Sequence, residues 1–211
     1  MDLKALSESV KKGTTTVGIV CTDGIVLGAD SRATMGDFIA SDAAIKLYKI
    51  DEGLGVLIAG VSGYAEYVVK ILKVQSELYK MTESKPMAPS AAASLLGFVL
   101  RESISDYGYA FLIVGGLNRG EPELISLDPL GSTQKETKYT SIGSGMMSAL
   151  GYLDSTYSAA MTTQDAVKHA AKALQVAMKR SSATGGAMRI ATVTKKGFKE
   201  YTKEEIDKLL K

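Results

Sequence analysis

The sequence predicts an α+β fold, a four-layer αββα sandwich of two antiparallel sheets with helices on both outer faces. Strand-like runs of β-branched and apolar residues come in pairs around turn residues, which is typical of antiparallel hairpins. Helix-like segments also come in pairs, between the groups of strands, which favours separate helical layers. Strict alternation of strand and helix is missing from the order, which disfavours a doubly wound nucleotide-binding fold.

The first four predicted strands form two hairpins. Each pair surrounds a short segment that contains aspartate and ends in glycine, a strong turn signal between apolar runs. The strands are residues 14–21 and 24–31 around Thr22-Asp23-Gly24, and residues 46–50 and 54–60 around Asp51-Glu52-Gly53.

Two helices follow these strands. Apolar residues recur at helical spacing from Gly63 to about Met81, with lysine and glutamate left for the solvent face. The segment "KPMAP" ends this helix, and Ser90 is a candidate N-cap for a second helix over residues 91–103.

The second half of the chain repeats the order of strands, helices and strands. Its turn and capping residues are Asp128-Pro129-Leu130-Gly131 before the third strand and Thr162 or Thr163 before the fourth helix. The predicted elements are strands 109–117, 123–128 and 137–143, helices 146–159 and 163–180, a closing hairpin of 188–194 and 197–201, and a terminal helix over 203–210.

Composition limits the classes of function. The 211 residues are 45% hydrophobic and 23% charged with a net charge of +2, as in a single globular domain of ordinary size. Basic residues are nearly matched by acidic ones without a dense basic run, so we expect no nucleic-acid partner. No apolar run approaches the roughly 20 residues of a membrane helix, so we expect no membrane partner and a soluble, cytoplasmic chain.

The sequence does not support most catalytic mechanisms that use a histidine, a cysteine or a metal ion. His169, the one histidine, lies within a predicted helix, where a surface or packing role is more common than catalysis. Cys21, the one cysteine, falls on a predicted strand and is expected to be a buried, inert thiol. No cluster has metal-ligand spacing and no glycine-rich stretch has phosphate-loop spacing, so we predict no metal and no cofactor.

One remaining scheme uses a threonine. A threonine hydroxyl can be activated by its own α-amino group when it is the first residue of a chain, because that amine titrates near ~8. Thr14 meets this condition only if the Gly13-Thr14 bond is cut, which Thr14 itself could do. Residues 1–13 are then either a frayed tail or a leader that is removed, and the threonines at 14–16 are either strand residues or the start of a mature chain.

From Gly13 to its carboxyl end, the sequence resembles a proteasome β subunit, most nearly the archaeal kind, which belongs to the N-terminal-nucleophile hydrolases. The stretches that carry this resemblance are "GTTTVGIV", "GADSRATMG", "KLYKI", "IAG", "SLDPLGS", "IGSG" and "AMKRS". The resemblance implies the αββα sandwich, a leader over residues 1–13 and a single domain over residues 14–211. It also implies a threonine endopeptidase.

The same resemblance implies roles for individual residues. Thr14 would be the nucleophile, and its freed amine would accept the proton. Asp30 would orient Lys46, whose positive charge favours deprotonation of the threonine hydroxyl. Ser144 matches a serine near the threonine amine, and Gly60 matches the position whose backbone N–H stabilises the oxyanion. From the residues alone, the favoured interpretations are a surface lysine for Lys46 and a turn residue for Asp30.

The family binds substrate as an extended strand. The backbone positions that match this role are Thr34, Gly60 and Ser62. The first specificity pocket would be lined by Ala33, Ala44, Tyr48, Ile58 and Glu66. Its alanines and Ile58 suggest cleavage after apolar residues, while Glu66 could tolerate a basic one.

The chain departs from the family pattern around the amine. Active members carry an aspartate after the arginine of the fourth helix and then a serine before a glycine. Here Ser181 follows Arg180, and Thr184 precedes Gly185. Thr184 keeps a hydroxyl and so would share the catalytic role, but Ser181 supplies no negative charge. Tyr64 also stands where an aspartate is usual.

Two hypotheses follow. Either this is an active protease subunit in which Ser181 is compensated, or it is a silent structural β subunit that keeps its leader beside an active paralogue. A distant hydrolase of small amides fits the motifs less well. The resemblance implies a seven-membered β ring, α subunits as partners, and unfolded polypeptides delivered by a regulatory ATPase.

Overall fold

The structure is a computed structural model that describes residues 13–102 and 109–211. Within these residues the chain forms twelve strands and five helices. The strands are β1 Thr15–Cys21, β2 Gly24–Ala29, β3 Ala33–Met35, β4 Phe38–Ser41, β5 Leu47–Asp51, β6 Leu54–Gly60, β7 Ala110–Asn118, β8 Glu121–Leu127, β9 Thr133–Glu136, β10 Tyr139–Gly143, β11 Arg189–Thr194 and β12 Gly197–Glu200. The helices are α1 Ser62–Glu83, α2 Pro89–Glu102, α3 Met146–Thr156, α4 Thr163–Arg180 and α5 Lys203–Leu210.

Two five-stranded antiparallel sheets form the inner layers of the described chain. One sheet has the order β10-β1-β2-β11-β12, and the other has the order β5-β6-β7-β8-β9. The predicted β1–β2 hairpin is confirmed: Cys21 pairs with Gly24, so its two loop residues are Thr22 and Asp23, and Gly24 is already part of β2. The short β3–β4 hairpin stands apart from both sheets.

The hydrophobic core has three parts, and they confirm the four-layer αββα sandwich. Between the sheets, side chains such as Leu27, Leu57 and Ile113 are fully buried. A second cluster joins α1 and α2 to the β5–β9 sheet, and a third joins α3, α4 and α5 to the other sheet. Both outer faces of the sheet pair are therefore covered by helices, as the grouping of helical segments predicts.

Several predicted boundaries were wrong. The third helix ends at Thr156 rather than at 159, because Tyr157 is already extended while its N–H donates to the Leu153 carbonyl. Thr162, not Thr163, is the cap of α4 and forms a capping box with Asp165. Thr163 instead donates its hydroxyl to Asp23.

The second predicted helix also begins earlier, at Pro89, so Ser90 is not its cap. Its predicted last residue, Ser103, lies outside the described residues, as do residues 1–12 of the predicted leader. The sequence analysis did not predict β3, β4 or β9. Within the described residues, no helix combines the length and apolar character needed to cross a membrane.

Candidate active site

Thr14 lies immediately before β1, at the edge where this strand pairs with β10. Thr15 pairs with Gly143 in this register, which brings the start of β1 beside Ser144. The Ser144 backbone N–H donates to the Thr14 carbonyl at 2.7 Å. Thr14 is only 5% exposed. The sheet therefore holds Thr14 in a fixed place in a nearly closed environment.

Asp30 and Lys46 form a buried ion pair beside Thr14. Asp30 follows β2 and Lys46 precedes β5, and the Lys46 Nζ lies 2.6 Å from the Asp30 Oδ1. The Asp30 carboxylate is fully buried and accepts three further hydrogen bonds from backbone N–H groups, those of Thr15 at 2.8 Å, Arg32 at 3.1 Å and Gly185 at 2.8 Å. These four donors satisfy the carboxylate in its charged form.

The Lys46 Nζ meets three acceptors. Besides Asp30, it donates to the Arg32 carbonyl at 2.5 Å and to the Gly13 carbonyl at 3.0 Å. Three acceptors match the three N–H groups of an ammonium, whereas a neutral amine has only two. Burial lowers the pKa of Lys46, and the neighbouring Asp30 carboxylate opposes that shift.

The Gly13 carbonyl receives two hydrogen bonds from this site. One comes from Lys46, and the Thr14 Oγ1 donates the other at 2.5 Å. Gly13 has a φ of +101°, and a Cβ on it would lie 2.6 Å from the Ala183 carbonyl oxygen. A residue with a side chain would therefore be strained at this position. The bond after Gly13 lies within reach of both the hydroxyl and the ammonium.

The other side of Thr14 is occupied by four hydroxyl-bearing residues, which we call the hydroxyl chain: Ser181, Ser144, Thr184 and Thr15. The Ser181 hydroxyl donates to the Ser144 Oγ at 3.1 Å, the Ser144 and Thr184 oxygens lie 3.1 Å apart, and the Thr184 and Thr15 oxygens lie 2.7 Å apart. The Ser144 hydroxyl also donates to the Thr14 carbonyl at 3.2 Å. The hydroxyl chain therefore contacts the backbone of Thr14 through Ser144.

Sequence reasoning missed Thr15 as part of this site. Its side chain is fully buried, and its Oγ1 accepts a hydrogen bond from the Gly145 N–H at 3.0 Å. In the sequence Thr15 is the middle of three threonines at the start of a strand. Because β-branched residues are common in strands, nothing in the sequence indicates a role for Thr15 in the site. Only the approach of Thr184, 169 positions away, distinguishes it.

A cavity of about 170 Å³ opens beside Thr14. Five of the residues predicted for substrate binding line it together with Gly60: Ala33, Ala44, Ile58, Ser62 and Glu66. The sequence analysis did not assign Ser41, Ile45, Ala59 and Ala65 to this wall, nor Lys46, which it placed at the nucleophile. The lining mixes alanine and isoleucine side chains with hydroxyl groups, the Lys46 ammonium and the Glu66 carboxylate.

Two predicted binding residues are not among the lining residues of that cavity. The Tyr48 hydroxyl donates to the Ile45 carbonyl at 3.1 Å, so Tyr48 supports the wall from behind. Burial, with the nearby Glu66 charge, raises the pKa of Tyr48 to about 12. Thr34 stands beside Gly13, with its hydroxyl 2.8 Å from where a Cβ on Gly13 would lie.

Gly60, the predicted oxyanion residue, ends β6 and lines the cavity together with Thr14. Its φ is +117°, and a Cβ on it would lie 2.4 Å from the Tyr109 carbonyl oxygen. Glycine is therefore required at this point for steric reasons as well as for its backbone conformation.

Arg32 ties two loops of the site together. Its Nε donates to the Asp42 carboxylate at 2.9 Å, and its Nη1 donates to the Ser182 carbonyl at 3.1 Å. Asp42 belongs to the segment that leads to Ala44 and Lys46, while Ser182 follows Ser181. The two sides of the site are thus linked at the surface as well as through Asp30.

The histidine and the cysteine lie elsewhere. The His169 Nδ1 is 3.1 Å from the Tyr152 hydroxyl, between α4 and α3, and burial lowers its pKa. Cys21 is buried, as expected, and burial raises the pKa of its thiol to about 12. Within the described residues, no three histidine, cysteine, aspartate or glutamate side chains lie together as metal ligands would.

Comparisons with known proteins agree on one family. A family model described as "Proteasome subunit" matches residues 10–193. A proteasome subunit beta of Methanocaldococcus vulcanius is 42% identical over 200 residues, which cover 94% of this chain and 90% of the relative. One from Archaeoglobus profundus is 38% identical over 99% of this chain and 97% of its own length. A proteasome subunit beta 2 of Pyrococcus furiosus is 42% identical, covering 95% and 96%.

Proposed function

Because this chain belongs to the proteasome subunit family, we propose that it is a β subunit of a proteasome core particle and acts there as a threonine endopeptidase. One observation carries the proposal of activity. The Thr14 hydroxyl and the Lys46 ammonium converge on the carbonyl oxygen of Gly13, with Lys46 anchored by the buried Asp30. A nucleophile and a fixed positive charge thus meet at one peptide bond.

The first reaction removes the leader. The Thr14 Oγ attacks the Gly13 carbonyl carbon and loses its proton, and the Lys46 ammonium stabilises the charge that develops on the carbonyl oxygen. The C–N bond then breaks, the nitrogen of Thr14 takes up the proton that Oγ lost and becomes a free amine, and Gly13 is left as an ester on Oγ. Water hydrolyses this ester, so residues 1–13 leave with a carboxylate and the Thr14 hydroxyl is restored beside its free amine.

The second reaction is hydrolysis of a polypeptide substrate. The Thr14 Oγ–H proton passes to the α-amine as Oγ bonds to the substrate carbonyl carbon, and the Gly60 N–H would receive the oxyanion. The C–N bond then breaks, the departing amine takes the proton from the Thr14 ammonium, and water cleaves the acyl ester. The cavity lined by Ile58, Ala33 and Ala44 supports a preference for apolar residues before the cut.

The hydroxyl chain supports the view that Ser181 is compensated in part. Ser181 still reaches the Ser144 Oγ, so the chain of hydrogen bonds beside Thr14 is continuous without a carboxylate. The neutral Ser181 is also the observation that favours the second candidate, a silent structural subunit that retains its leader. The two candidates differ in whether the Gly13-Thr14 bond is cut.

Assembly follows from family membership. We propose a seven-membered ring of β subunits with α subunits as partners, and unfolded polypeptides delivered by a regulatory ATPase as substrates. Whichever candidate holds, the particle is a core assembled with other subunits.

The deciding experiment is the intact mass of this chain after co-assembly with its α partner. We expect residues 1–13 to be lost from the natural sequence and kept in Thr14→Ala. Thr16→Val is the matched control, because the Thr16 Oγ1 is buried without a hydrogen-bond partner in the described part of the chain. This control should be cut normally. A leader that survives on the natural sequence in assembled particles would contradict the proposal and leave the structural role.

A further inference from the structure

A second cavity adjoins Thr14, with a volume of about 400 Å³ against about 170 Å³ for the first. Its walls are largely apolar and come from three elements. Tyr109 and Phe111 stand at the start of β7 with their rings edge to face, 6.2 Å apart. Ile142 comes from β10 and Met146 from the first turn of α3.

The two cavities meet at the nucleophile. Thr14, Ala59 and Gly60 line both of them. Gly13 and Ser144 line only the second cavity, while Ile58 and Glu66 line only the first. The second cavity therefore opens on the side of Thr14 where its nitrogen is joined to Gly13.

That side is where a leaving amine must stand. In the proposed reaction the amine of Thr14 hands its proton to the departing nitrogen, so the two nitrogens lie within hydrogen-bond reach of each other. If the residue before the cut occupies the first cavity, the residue after it is directed toward Ser144 and the second cavity. Removal of the leader also frees the space that Gly13 fills.

We infer that the second cavity is a subsite for the side chain that follows the scissile bond, and that it selects large apolar residues there. None of its ten lining residues in the described part of the chain has a charged side chain, so a charged substrate residue would lose water without gaining an ionic side-chain partner. Its aromatic and methionine walls suit a bulky apolar group. This inference rests on the proposed function and extends it to the leaving side of the substrate.

The test uses assembled, processed particles and internally quenched peptides that share one sequence before the cut. The residue after the cut is Leu, Phe, Ala, Asp or Lys, and kcat/KM is measured with the cleavage position checked by mass. A fluorogenic peptide amide, whose leaving group is the same in every assay, reports general activity without a variable residue after the cut. We expect Leu and Phe to exceed Asp and Lys by at least about tenfold, as for residues sorted by an apolar pocket.

A paired substitution locates the selectivity. Met146→Glu places a carboxylate in the cavity wall, while Met147→Glu places the same charge one residue further along the same helix turn, at a side chain that is 75% exposed and outside the wall. Met146→Glu should raise the Lys-to-Leu ratio of kcat/KM by about tenfold, and Met147→Glu should leave that ratio unchanged. A ratio taken within each variant cancels any general loss of activity.

The outcomes separate the two proposals. If the natural particle does not cleave even the simple amide, the proposed function fails and this inference fails with it. If the amide is cleaved but all five peptides are cut alike, the protease stands and the subsite is overturned. Equal shifts in Met146→Glu and Met147→Glu would also overturn it, since selectivity would then follow surface charge.

Discussion

The two sides of Thr14 are built from different chemistry. On one side a buried ion pair, Lys46 and Asp30, holds a 2.6 Å contact inside a shell of backbone donors and acceptors. On the other side the hydroxyl chain links Ser181 to Thr15 through neutral hydrogen bonds of 2.7 to 3.1 Å. The charged side faces the Gly13 carbonyl, and the neutral side faces the Thr14 backbone.

This difference separates two tasks that a nucleophilic threonine requires. A fixed positive charge lowers the free energy of a deprotonated oxygen or an oxyanion, and only an ion does this strongly. Hydroxyl groups can hold an amine in place, because each one both donates and accepts, but they carry no charge. Under the proposed function, the charged side would provide activation and the hydroxyl chain would provide position.

The strongest way to break this comparison is Lys46→Met. It removes the ammonium and leaves Asp30 with its three backbone donors, so the carboxylate keeps most of its partners. We expect hydrolysis of the fluorogenic amide to fall by at least about 10²-fold, as when one transition-state donor is lost, and we expect the leader to be retained. Intact mass and kcat/KM measure the two effects.

Lys49→Met is the control for this prediction. Lys49 lies three residues along the same segment and pairs with Glu52 at the surface, so its loss should cost little. Breaking a buried pair also destabilises a fold by ~3–5 kcal/mol, so the thermal unfolding midpoint is measured for both variants. Normal leader removal by a folded Lys46→Met chain would mean that the ion pair is only structural.

Ser181→Asp sharpens the comparison by making the neutral side charged. A carboxylate beside Ser144 favours the ammonium form of the Thr14 amine, so it raises the pKa of that amine. Catalysis needs the free base, and the acid limb of the kcat/KM profile should therefore move to higher pH by about one unit. Activity would fall at pH values between the old and new pKa and recover above both.

Ser182→Asp is the matched control, because Ser182 is the next residue and is exposed. Its hydrogen bond to Arg32 is made by its backbone carbonyl, which the substitution keeps. Its acid limb should stay where it is in the natural sequence. If both variants move alike, the shift reports general surface charge. If neither moves, the hydroxyl chain does not contact the amine of the mature chain.

The sequence predicts the fold well where the signals are local. The Asp-Gly turn of the first hairpin and the amphipathic run of α1 contain their own evidence, so both were found. The strand β9 reads "TQKE", is largely exposed and lies at a sheet edge, so no apolar alternation predicts it. The strands of the β3–β4 hairpin are too short for an alternation of apolar and polar residues to be recognised.

The site was predictable only in part. Lys46 lies between Ile45, which is 50% exposed, and Leu47, which is 3% exposed, so its flanks do not indicate a buried ammonium. The position of Lys46 in the site was inferred from the resemblance. The structure shows its partner, the Asp30 carboxylate, which offsets the cost of burying the ammonium. The meeting of Thr15 with Thr184 depends on how β1 packs near the end of α4, which no local pattern records.

The smallest effect is expected from Asp42→Asn, which tests the surface link between the two sides. The Arg32–Asp42 contact of 2.9 Å resembles the Lys46–Asp30 contact in geometry, but its side chains are 22% and 51% exposed against 5% and 0%. Water already solvates both partners, so the free energy of unfolding should change by less than about 1 kcal/mol and should respond to salt. The amide oxygen of the substituted side chain can still accept from the Arg32 Nε, and thus leader removal should proceed. A loss as large as that of Lys46→Met would mean that the loop link, rather than the buried charge, controls the site.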